Sequence, residues 1–189
     1  MVGKKTAVQN PAGVKFNDYP ALEPGFFIGE KMTSAEMKTL RESLGLPVQW
    51  LADQAGVKAR TVQYWESGRN AVPEDVAEML KSIDAQIWNI VGNAVAQIKE
   101  AADSEGSLPE QLDLIRYRSD DDLWHYQPEF KPLPATCHGM LLSRLIREIE
   151  PLKIPVHIIY MQPEKYNAWL NGRHDSSELR SEWASHQEI

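Results

Sequence analysis

Apolar side chains recur at the three- and four-residue steps of amphipathic helices from Thr33 to about residue 100, and then fall into shorter, mixed runs. Thr33 and Glu36 have the spacing of a capping box ahead of Met37, Leu40 and Leu44, and Gly45 ends that first helix. A second helix fits Pro47 to Gln54, with proline suited to its first turn. Gly56 supplies a sharp turn, and a third helix fits Ala59 to Glu66 and stops at Gly68. Pro73 opens a long helical run in which Glu74 and Asp75 complement the helix dipole. There Val76, Leu80, Ile83, Ile87, Ile90, Ala94 and Ile98 alternate in steps of four and three, close to a coiled-coil seam. Packing within one chain and pairing with a second copy both satisfy that pattern.

The remainder alternates between element types. Ser104 to Pro109 reads as a linker, and Asp113 to Ser119 as a short strand. Ala135 to Ile149 has helical spacing, and Val156 to Met161 is a β-branched and aromatic strand. Pro163 starts a short helix with Tyr166, Trp169 and Leu170 that Gly172 ends, and the last residues are polar and read as frayed. Residues 1–31, broken by Pro11, Gly13, Pro20, Pro24, Gly25 and Gly29, read as a flexible N-terminal extension in which Lys4, Lys5 and Lys15 form a weakly basic arm. The expected fold is mainly α. Residues 32–103 form a helix-turn-helix bundle with its long following helix, and residues 104–189 form a small α+β C-terminal domain.

The chain has 189 residues, 42% of them apolar, enough for an ordinary core. No run approaches the ~20 apolar residues that span a bilayer, and no apolar stretch follows the first lysines as in a secretory signal. A lone cysteine, Cys137, builds no internal disulfide framework, so a reducing cytoplasm is the expected location and no membrane is involved. The net charge of −7 at first opposes nucleic acid, but binding depends on where the cations sit. Residues 1–31 carry a net +1, residues 32–80 a net −2 and residues 81–189 a net −6. Most of the acid therefore lies beyond the helical segment.

That segment carries the function. Between Leu46 and Gly68 two short helices meet at a glycine turn, with Ala52 and Gly56 as small residues where such helices approach closely. Leu51, Ala55, Val57, Val62 and Trp65 fall on the inward side. Ala59, Arg60, Gln63 and Tyr64 make the complementary face of the third helix, which suits the major groove of double-stranded DNA. Arginine pairs in bidentate fashion with guanine O6 and N7, and glutamine with adenine N6 and N7. Arg60 and Gln63, three apart, share a side of the helix. Lys58 at the helix start meets a phosphate, Thr61 and Tyr64 offer hydroxyls, and Arg69 and Asn70 follow in a loop that reaches the flanking backbone. The same basic and aromatic groups would also suit RNA.

The run LADQAGVKARTVQYWESGR resembles the lambda-repressor/Cro-like helix-turn-helix pattern, with its leucine–alanine pair, glycine–valine turn and terminal tryptophan–glutamate–x–glycine–arginine. TSAEMKTLRESLGL and RTVQYWESGRNAVPEDV widen the match over roughly residues 32–100, where the chain resembles the YdiL-like domain-of-unknown-function family and the related anti-CRISPR-associated repressors. That resemblance implies a homodimeric repressor that binds an inverted repeat near its own operon and dimerises through its C-terminal region. It places recognition contacts at Arg60, Gln63 and Tyr64 and a backbone contact at Arg69. The general pattern has glutamine at the second position of the second helix; here Val48 stands there and Gln49 follows, so Gln49 is the candidate for that contact. Lys58 stands where a serine-like cap is usual.

Other residues read as structural. Trp65 belongs to the core, and Glu66 is a partner for a nearby arginine. Cys137 and His138 point about 100° apart on a helix, which suits packing better than a nucleophile–base pair. The histidines lack metal-ligand spacing, and Asp120 to Asp122 reads as a solvated turn. No catalytic constellation, metal or cofactor is therefore expected. Two rival readings are an antitoxin-type module, whose acidic C-terminal part covers a protein partner, and a small-molecule-responsive regulator with a pocket in residues 105–175.

Overall fold

The computed structural model describes residues 31–187; the readings made for residues 1–31 lie, but for Lys31, outside them. The chain is mainly helical, with eight α-helices and a two-stranded sheet among the described residues. It divides into two compact units whose boundary, between Asn89 and Ile90, falls inside one long helix.

In the first unit, helix α1 (Ser34–Ser43) starts at the expected capping box. The Thr33 hydroxyl accepts from the Glu36 N–H at 3.2 Å, and Glu36 Oε2 accepts from the Thr33 N–H at 2.7 Å. Met37, Leu40 and Leu44 turn inward. Gly45, at φ 65°, ends the helix and lets the Leu46 N–H bond back to the Arg41 carbonyl. Helix α2 (Val48–Gln54) buries Leu51 and Ala52, and α3 (Ala59–Glu66) buries Val62 and Trp65. Ala55 and Val57 are half-buried. Ala52, with no exposed surface, sits where α2 and α3 pack together. Gly56 serves differently from the close-approach role expected of it. A Cβ there would meet nothing within 4 Å, so glycine is required by the backbone, at φ +64°.

One buried ion pair ties α1 to α3. Arg41 Nε donates to Glu66 Oε1 at 2.6 Å, and both side chains are close to fully buried. The same guanidinium donates from Nη1 to the Leu46 carbonyl at 2.6 Å and from Nη2 to Glu42 Oε1 at 3.4 Å. Glu66 is thus the structural partner that its sequence position implied.

Helix α4 (Glu74–Glu105) continues further than the linker assignment at Ser104 allowed. All seven seam residues, Val76 to Ile98, are buried within the chain. Of the two ways to satisfy that seam, the chain uses the intramolecular one.

The second unit holds strand β1 (Leu112–Arg116), helix α5 (Asp120–Tyr126), helix α6 (Ala135–Ile149), strand β2 (Val156–Tyr160), helix α7 (Pro163–Leu170) and helix α8 (Ser177–Ser185). The strands pair in parallel with Leu112 opposite Val156 and Arg116 opposite Tyr160, so the helical crossover between them is required by geometry. Helices α6 and α8 pack on β1. At Gly139 a Cβ would lie 1.5 Å from Arg116 Nη1, so the Arg116 guanidinium occupies the space a larger residue would need. Two sequence expectations are corrected here. Asp120 to Asp122 form the first turn of α5, capped by Ser119, where carboxylates favour the helix dipole; Asp120 also accepts from the Ala135 N–H at the start of α6. The C-terminal residues form α8, capped by Ser176 and anchored by the buried Trp183, whose ring meets Tyr166 edge-on. Only two of its nine residues, Trp183 and Ala184, are buried, too few to give a visible period.

Two stability effects follow. Glu66→Ala leaves the Arg41 guanidinium buried without its counter-charge and is expected to cost about 3 kcal/mol; a urea midpoint indistinguishable from the parent would disprove the clamp. His138 is fully buried, and desolvation, helped by the nearby Arg116 charge, lowers its pKa to about 3. The unfolded chain takes up that proton below about 6.5 and the native one resists until about 3, so stability falls as pH drops between those values. Thermal melts of His138→Leu from pH 7 to pH 4 should show a shallower decline; an unchanged slope would contradict the assignment.

Candidate nucleic-acid interface

Because Val62 and Trp65 are pinned inward and Glu66 is held by Arg41, the opposite side of α3 faces solvent. Arg60 and Gln63 are exposed on it, three residues apart. Arg60 Nε donates to the Tyr64 hydroxyl at 2.6 Å, and its guanidinium lies 5.4 Å from the Tyr64 ring centroid. Arg69 reaches the same ring, 4.8 Å from its centroid. Gly68, at φ +73°, makes this possible by folding the chain back, so that the Arg69 and Asn70 N–H groups both donate to the Tyr64 carbonyl. Tyr64 is therefore neither plain core nor a free side chain. It is a half-buried platform that holds two guanidinium groups on one surface, each contact worth about 0.5–1 kcal/mol at an exposed site.

The other candidates spread around this cluster. Lys58 is exposed at the N-cap of α3 in extended conformation and makes no side-chain cap bond, as expected for a lysine in that place. Ala59 and Thr61 are half-buried, and Asn70 is exposed in the loop. Gln49 stands apart on α2. Its amide donates to Asp53 Oδ1 at 2.7 Å, so it is turned along its own helix toward a carboxylate. Sequence reasoning missed Asp53, although the four-residue spacing from Gln49 is the helical spacing at which such pairs form. The Arg69–Tyr64 contact had no local spacing rule to reveal it, since a turn separates the two.

The structure defines a mainly helical protein whose first unit displays a short, rigidly held helix bearing arginine, glutamine and tyrosine. The chain belongs to the family described as Domain of unknown function (DUF4447), whose model matches residues 28–188. A protein named Aca2 repressor, from Pectobacterium phage ZF40, is 48% identical over 58 residues, covering 30% of this chain and half of that protein's length. Among the described residues no helix is long and apolar enough to cross a membrane.

The platform predicts a spectroscopic signature. In Tyr64→Phe the Arg60 Nε–H resonance should move toward its random-coil position, while stability falls by no more than about 1 kcal/mol, the value of an exposed hydrogen bond. An unmoved resonance would show that the Arg60–Tyr64 contact does not persist in solution.

Proposed function

We propose that this protein is a sequence-specific DNA-binding regulator, a homodimeric repressor acting in the cytoplasm, and that it acts by binding and not by catalysis. In this reading α2 and α3 are a helix-turn-helix of the lambda-repressor/Cro-like kind, and α3 is the recognition helix in the major groove. The observation that carries it is the joint exposure of Arg60 and Gln63 on a helix fixed from behind by Val62, Trp65 and the Arg41–Glu66 pair. Those two side chains match guanine and adenine edges respectively. Arg69 and Lys58 flank them at positions suited to phosphates, and the first turn of α3 adds backbone N–H groups. The partial likeness to a protein named as a repressor supports the regulatory sense of the reading.

Binding as a dimer follows from the size of one α3, which reads only a few base pairs. Two copies would place their recognition helices about 34 Å apart, one turn of the duplex, on an inverted repeat. The seam of α4 is buried within the chain, and in this reading the C-terminal region supplies the dimer contact. Ile158 and Tyr160, two apart on β2, leave large apolar surface exposed there.

A band shift with inverted repeats from the region upstream of the gene tests this. Arg60→Ala or Gln63→Ala should weaken specific binding by about 1–3 kcal/mol, and Arg69→Ala should lower the salt slope by about one phosphate contact. Equal binding by both recognition-helix variants and the parent would remove α3 from the interface.

A further inference from the structure

Strand β2 leaves one edge of the sheet in the second unit open. The Leu112 N–H donates to the Pro155 carbonyl and the Met161 N–H to the Arg116 carbonyl, each at 2.9 Å. Backbone groups alternate sides along a strand, so the odd-numbered residues of β2 address β1. Val156, Ile158 and Tyr160 therefore turn their N–H and C=O groups away from β1, where no partner among the described residues meets them. Pro155, which lacks an N–H, falls on the β1 side and leaves the outer edge intact. Native sheets guard an open edge with lysine, proline, a bulge or a very short strand. From Val156 to Tyr160 the sequence VHIIY holds neither lysine nor proline, and its register with β1 runs without a bulge. The same three residues carry an apolar row, in which Ile158 is 46% and Tyr160 42% exposed.

The strand is complementary to itself. A two-fold axis that joins two copies of β2 edge to edge makes them antiparallel. With the axis at Ile158, Ile158 faces its own copy, Val156 faces Tyr160 and Tyr160 faces Val156. Each opposed pair then exchanges both of its N–H···O bonds. An axis at His157 or Ile159 leaves one of the three outward residues without a partner in the opposite strand, and the first also brings the two His157 rings face to face. At Ile158 the opposed side chains are isoleucine on isoleucine and valine on tyrosine, the apolar and aromatic pairs that stabilise a ladder. Charge favours the same place. Residues 81–189 carry a net −6, so two copies repel over most of this region, yet no carboxylate lies between Glu150 and Glu164. No like charges meet across the axis.

We propose that two copies of the protein join through β2, antiparallel and centred on Ile158, into one continuous four-stranded sheet. The inference rests on the homodimer reading above and names the surface, the partner strand and the register.

Three measurements on the full chain without DNA test it. Sedimentation reads whether the parent is a dimer, whatever surface it uses. Hydrogen exchange of the parent reads the edge: the Ile158 and Tyr160 amides should exchange within about tenfold of the Ile159 amide, which faces β1. Oxidation of single-cysteine variants reads the register. In Ile158→Cys the two Cα atoms lie about 5.5 Å apart, within disulfide range, and a cross-linked dimer is expected. In Tyr160→Cys, at an equally exposed position, the two thiols lie on the order of 13 Å apart along the strands and should stay unlinked. The native Cys137 is buried, so the parent serves as the blank. A dimer whose Ile158 and Tyr160 amides exchange freely, or that cross-links at 160 as readily as at 158, would overturn the proposal and leave the dimer reading standing. A parent that sediments as a monomer would overturn both, and protected amides in that monomer would assign the edge to another segment of its own chain.

Discussion

The first unit depends on a buried charge that has to be satisfied in three directions at once. The Arg41 guanidinium bonds to Glu66 on α3, to the Leu46 carbonyl after α1 and to Glu42 on its own helix. A buried guanidinium tolerates no slack, because leaving any donor unpaired costs more than the pair gains. The arrangement thus allows one position for α3 relative to α1. Glu66 lies at the C-terminal end of α3 and Val62 one turn before it, so the clamp and the hydrophobic contact act on the same side. Whatever lies on the other side is displayed at a fixed height and angle. A recognition surface needs that rigidity, since its side chains must hold position before a ligand arrives.

The electrostatics of that surface depend on pairing more than on totals. The whole chain is acidic, and even residues 32–80 carry a net −2. Glu66 and Glu42, however, are occupied with Arg41, and Asp53 is occupied with Gln49. Arg60 and Arg69 instead address a tyrosine ring, which positions a guanidinium without neutralising it. Two cations with their charge intact therefore share one face of a unit that is acidic overall.

Much of this was legible in the sequence because it is local. Caps, glycine stops and three-four periodicity located α1, α2, α3 and α6, and the seam of α4 named seven of its nine buried residues. The inward and outward sides of α3 followed from the same arithmetic. What was hidden depends on distant partners or on weak periods. Helix α5 looked like an acidic turn because its first turn is all carboxylate. Helix α8 looked frayed because one tryptophan does most of its anchoring. A cavity in the second unit is lined from α4, β1, α6 and α8 together, and no run of residues announces it. The convergence of Arg69 on Tyr64 depends on a positive-φ glycine that a sequence shows only as a helix stop.

The central claim is that α3 reads bases through Arg60 and Gln63. Selection of duplexes from a random pool by the full chain addresses it most directly. The account predicts an enriched inverted repeat with half-sites about one helical turn apart, and loss of preference at one position per half-site when Gln63 is replaced. A pool that shows no enriched sequence, or one whose preferences are the same with and without Gln63, would contradict it.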